Sequence, residues 1–111
     1  MDIKVKDPSI LFSVIYAFGE NAQIDMALEE MSELTKALLK YRRYFGTAET
    51  SKRLEDVREE IADVYIMLAQ LEIMFYSGPV FEEDKSLEDR IDQKLERLKN
   101  TIKHMSEQQE D

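Results

Sequence analysis

The run from Ser51 to Tyr76 constrains the fold most. Leu54, Val57, Ile61, Val64, Leu68, Leu71 and Phe75 recur there at helical spacing, and Gly78-Pro79 stops the run, because proline lacks an N–H and clashes with the preceding turn. From Val64 onward the only strongly polar side chains are Gln70 and Glu72. A helix apolar on nearly all sides must be covered on more than one of them. The pattern therefore predicts an all-α chain that oligomerises through this third helix.

Three further helices surround it in sequence. Asp7-Pro8 opens the first, with Asp as the cap and Pro where its missing N–H costs nothing. Ile10, Leu11, Val14, Ile15 and Phe18 form its stripe and Gly19 closes it. The second is expected from about Asn21 to Phe45, with Ile24, Leu28, Met31, Leu34 or Thr35, and Leu38 as its core, and with Gly46-Thr47 interrupting it. Ser86-Leu87-Glu88-Asp89 resembles a capping box that opens the fourth. Its stripe is Leu87, Ile91, Leu95, Leu98, Ile102 and Met105, and the polar tail from Ser106 is expected to fray. Short connections favour antiparallel neighbours, so the expected architecture is an antiparallel bundle of about four helices. With 111 residues this reads as a single domain, residues 1–111, with its core at about 8–105 and a tail at 106–111.

Onto these helices fall two acidic pairs, Glu30-x-x-Glu33 and Glu60-x-x-Asp63. Residues three apart project from one helix face, so each pair can close on a common cation or water. Glu30 and Glu33 align with Met26, Ala37 and Tyr41, and Glu60 and Asp63 align with Asp56, Met67, Gln70 and Met74. Glu29 and Glu59 lie on the outward sides. Unpaired carboxylates on inward faces repel one another and are costly to bury, so they need protons, basic partners or a metal. Lys40, Arg42, Arg43 and Arg58 are the nearby bases that would give salt bridges instead.

The ligand types narrow the metal. The chain has no cysteine and one histidine, His104, far along the fourth helix. Di-iron bundles use Glu-x-x-His, and the third positions here are Glu33 and Asp63. All-oxygen donors suit Mg²⁺ or Mn²⁺, which usually bind together with substrate phosphates. The net charge of -9, from 24 acidic and 15 basic residues, argues against nucleic acid as a partner. A metal-bound nucleotide is compatible with it, because the ion reverses the local sign. No run approaches the ~18 uncharged residues of a membrane span. No apolar leader opens the chain and cysteine is absent, so a soluble, cytoplasmic protein without a membrane partner is expected.

Glu29-Glu30-Met31-Ser32-Glu33, followed after 26 residues by Glu60-Ile61-Ala62-Asp63, resembles the EExxE…ExxD signature of MazG-like proteins in the all-α nucleoside triphosphate pyrophosphohydrolase superfamily. The flanking Ala22–Leu28 and Asp63–Leu68 are similar to the short single-domain branch, and the likeness covers about residues 10–100. The resemblance implies Mg²⁺-dependent hydrolysis of a nucleoside triphosphate between the α and β phosphates, in a homodimer or dimer of dimers. It implies Glu30, Glu33, Glu60 and Asp63 as metal ligands, with Glu33 doubling as general base. Lys40, Lys94 and Arg97 are the candidates to hold substrate phosphates, and Gln23, Phe18 and Tyr41 are the candidates to contact the base, with Phe18 equally explained as core. The competing reading is a non-catalytic oligomeric helical module whose acidic faces are merely solvated.

Overall fold

A computed structural model describes residues 5–77 and 85–109, and these form four α-helices and no strand. They are α1 (Ser9–Phe18), α2 (Glu20–Tyr44), α3 (Thr50–Tyr76) and α4 (Leu87–Gln109). The Gly78-Pro79 stop lies outside the described residues. The chain divides into two compact units, Met1–Phe75 and Tyr76–Asp111.

Local chemistry explains the helix ends. The Asp7 carboxylate accepts hydrogen bonds from the Ser9 N–H and hydroxyl at the mouth of α1. Gly19, at φ 90°, gives its N–H to the Ile15 carbonyl at 2.8 Å and so turns the chain from α1 into α2 within one residue; a positive φ of this kind favours glycine. The turn between α2 and α3 uses Gly46, at φ 83°, and two threonines. Thr47 Oγ1 donates to the Tyr44 carbonyl at 2.6 Å, and Thr50 Oγ1 accepts from the Gly46 N–H at 3.0 Å. Ser86 Oγ caps α4 by accepting the Asp89 N–H at 3.1 Å. Past Ser106, where fraying was expected, α4 continues to Gln109.

In the first unit, α2 and α3 run antiparallel. Gln23 near the start of α2 meets Gln70 near the end of α3, while Tyr44 at the end of α2 lies under the Arg53 guanidinium at the start of α3, 4.7 Å away. The seam of α2 is Gln23, Ala27, Glu30, Leu34, Ala37, Tyr41 and Tyr44, each buried or half-buried. The facing seam of α3 is Arg53, Val57, Glu60, Val64, Met67, Leu71 and Met74, likewise buried or half-buried. Steps of four and three residues keep one stripe of each helix toward its neighbour.

This seam corrects the expected core of α2. Leu28, Met31, Thr35 and Leu38 are exposed, as are Ile61, Leu68 and Phe75 on α3 and Ile10 and Phe18 on α1. The alanines at 27 and 37 lie on the buried stripe, and the larger side chains one position further round are left outside. In an antiparallel pair of right-handed helices, positions one residue after each seam position fall on the same side of both helices. Leu28, Met31 and Leu38 of α2 therefore share one broad face with Ile61, Tyr65 and Leu68 of α3. All six are at least 36% exposed.

Candidate metal centre

The acidic pairs sit halfway along the hairpin. Glu30 comes from the α2 seam and Glu60 from the α3 seam, both half-buried, and Asp63 lies one turn further along α3, exposed. Each offers a carboxylate oxygen, and the three oxygens lie within 4.8 Å of one another. Antiparallel register is what brings 30 opposite 60 and 63.

The electrostatics of this trio are strained. Burial pushes the Glu30 carboxyl above the ordinary carboxylate range, and the charges of Asp63, Glu60, Glu29 and Glu33 push it further, in that order. Glu60 is raised by burial first, then by Asp63, Glu33 and Asp56, while a hydrogen bond with Glu30 works the other way. Glu60 Oε2 is buried and has no hydrogen-bond partner. Such an oxygen normally finds a donor or a cation, since leaving it bare costs desolvation without return.

No base answers that charge. Arg53 pairs with Glu49 at 2.9 Å and Asp56 at 3.8 Å, Arg58 pairs with Glu55 at 3.8 Å, and Lys36 pairs with Glu33 at 3.3 Å. Among the described residues no Lys or Arg makes an ion pair with Glu30, Glu60 or Asp63. Salt bridges from Lys40, Arg42, Arg43 or Arg58, the rival explanation for the acids, are absent there.

The other candidate residues fall in different places. Glu33 stands beside the trio, near enough to raise both Glu30 and Glu60, but its Oε1 accepts from Lys36 Nζ at 3.3 Å. Lys40 is exposed on α2. Gln23 is 5% exposed, and its Nε2 donates to Gln70 Oε1 at 2.7 Å, so its amide is already used in joining α2 to α3. Lys94 and Arg97 are exposed on α4, in the second unit. Lys36 was overlooked as a partner of Glu33, although its position one turn after Glu33 was legible as an (i, i+3) ion pair. Tyr41 packs edge-on against Phe45, with ring centroids 5.8 Å apart.

Three carboxylates, one orphaned oxygen and no ion pair to a base among the described residues make a donor set that could hold a hard divalent cation. No helix among the described residues is long and apolar enough to cross a membrane. No protein-family model, curated protein or solved structure matches the chain.

Proposed function

We propose that the protein is a divalent-metal-dependent nucleoside triphosphate pyrophosphohydrolase that releases pyrophosphate and a nucleoside monophosphate. The observation that carries this reading is the trio Glu30, Glu60 and Asp63, whose carboxylate oxygens lie within 4.8 Å of one another with no ion pair to a base among the described residues. The resemblance of the two acidic motifs to MazG-like proteins supplies the reaction class.

Glu30, Glu60 and Asp63 would hold Mg²⁺ or Mn²⁺ through oxygen. When bound, the metal supplies charge for the triphosphate oxygens and lowers the pKa of water. Glu33 Oε1, at the edge of the trio, is the proposed acceptor of the proton from the attacking water, and its Lys36 partner orients it. Lys40, on the same helix as Glu30, is proposed to hold phosphate oxygens through charge-assisted hydrogen bonds. Gln23 is proposed to contact the base only through a rearrangement of its bond to Gln70.

The broad apolar face of the hairpin supports association of two copies, as a homodimer or a dimer of dimers. That face also favours a second reading, a helical interaction module without catalysis. Pyrophosphate release across a panel of common and modified nucleoside triphosphates, including dUTP and phosphoribosyl-ATP, with Mg²⁺ or Mn²⁺, tests the enzymatic reading. No turnover on any of them would leave the interaction module standing. Millimolar Mg²⁺ should also raise the melting temperature of the wild type and leave that of Glu60→Gln unmoved, because a ligand of the folded state alone stabilises by mass action.

Glu30→Gln is expected to stabilise the metal-free protein by a few degrees in melting temperature, on the order of ~2–5 °C. The sign follows from linkage. A carboxyl whose pKa is raised by folding gives the folded state its full advantage below the ordinary value of 4.5, and this is lost as pH rises through the raised value. The gap between Glu30→Gln and wild type should therefore be small in acid and widen as pH climbs above 4.5. Melting curves in chelator across that range check it, and a gap that narrows with rising pH would mean Glu30 is held by a stabilising partner.

A further inference from the structure

α4 carries a stripe that the proposed chemistry does not use. Ile91, Leu95, Leu98, Ile102 and Met105 follow one another at alternating steps of four and three residues, which is the spacing of a coiled-coil seam. All five are exposed, from 46% at Ile91 to 65% at Ile102. An apolar seam of this regularity, open along its whole length, calls for a second helix.

The charges beside the seam select which helix and in which direction. With Leu95 and Ile102 at a positions and Ile91, Leu98 and Met105 at d positions, Asp92 and Lys99 occupy e positions, and Lys94 and Thr101 occupy g positions. A parallel pair of α4 helices sets each g residue against the following e residue of its neighbour. That arrangement would place Lys94 against the partner's Lys99 twice over, like charge against like.

The antiparallel pair behaves differently. With the two-fold axis between Leu95 and Leu98, Leu95 meets the partner's Leu98, Ile91 meets the partner's Ile102, and at each end Met105 lies against the partner's Glu88. Here e faces e and g faces g. Asp92 then lies opposite the partner's Lys99, and the symmetry repeats that pair, while Lys94 lies opposite the neutral Thr101 of the partner subunit. The sequence of α4 is thus complementary to its own reverse. We propose that α4 pairs antiparallel with α4 of a second copy of this chain, through the Ile91–Ile102 seam. This surface is separate from the broad face of the α2–α3 hairpin, and the inference does not depend on the metal reading.

Charge reversal in the full chain tests it. Asp92→Lys and Lys99→Asp each convert two attractive pairs into two repulsive ones, and each is expected to raise the dissociation constant for self-association about tenfold. The double reversal restores opposite charges at both pairs and should return association to near the wild-type value, read by sedimentation velocity. Direction is read separately. The chain has no cysteine, so a spin label on Gln108→Cys is unique. Antiparallel pairing offsets the two labels by ~34 Å along the helix axis, and parallel pairing brings them within ~20 Å. Single reversals without effect, a double reversal no better than the singles, or a short label distance would each overturn the proposal. The first of these would mean that the seam is covered by its own chain or by another partner.

Discussion

Asp63→Ala is expected to lower pyrophosphate release by at least about a hundredfold while leaving the fold intact, the scale on which loss of one preorganised charge-stabilising group acts in an active site. Asp63 is exposed, so its truncation opens no core cavity. It is also one of three like charges, and its removal relieves repulsion on Glu30 and Glu60. Activity and stability should therefore move in opposite directions. Steady-state turnover and metal-free melting curves on the same preparation separate the two, with Glu29→Ala as the control. Glu29 is exposed on the outward side of α2, and its loss should change turnover less than about twofold. A turnover unaffected by Asp63→Ala would end the enzymatic reading.

Leu68→Glu is expected to break the proposed association of two hairpins. Leu68 is 45% exposed in the single chain, so a charged side chain there can reach water without disturbing the α2–α3 seam. Buried against a second copy, the same carboxylate would lose its water and find no assigned base. The dissociation constant should rise by a hundredfold or more, since several kcal/mol of desolvation are at stake and each ~1.4 kcal/mol is tenfold. Light scattering coupled to size exclusion would then report a smaller species, with helix content unchanged in the far ultraviolet. An unchanged mass would remove this face as the interface.

These two predictions separate what the sequence made legible from what it left out. Helix number and boundaries were readable, because Gly19, Gly46 and the Ser86 cap are local signals and local signals need no partner. The acids were readable for a related reason. Helical period alone placed Glu29 and Glu59 outside and Glu30, Glu33, Glu60 and Asp63 inward; burial agrees for the first five and corrects Asp63, which is exposed at the rim of the seam.

The seam of α2 was not readable. Leu28, Met31 and Leu38 form the more apolar stripe, and hydrophobic period points to them. The chain buries Gln23, Ala27 and Ala37 instead. Period identifies faces that avoid water, but it does not say which of two adjacent faces meets the chain itself and which awaits something else. The role of Gln23 was hidden for the same reason. Its match to Gln70 lies 47 residues away, a distance that no local rule spans.

The two alanines of that seam have a consequence for the carboxylates. Ala27 and Ala37 are 2% and 8% exposed, one on each side of Glu30 along α2. Neither has a side chain beyond Cβ, and helix separation depends on the side chains at the contact. That separation is also the aperture across which Glu30 faces Glu60 and Asp63. The width open to any ion proposed there would thus depend on two side chains that carry no donor atom.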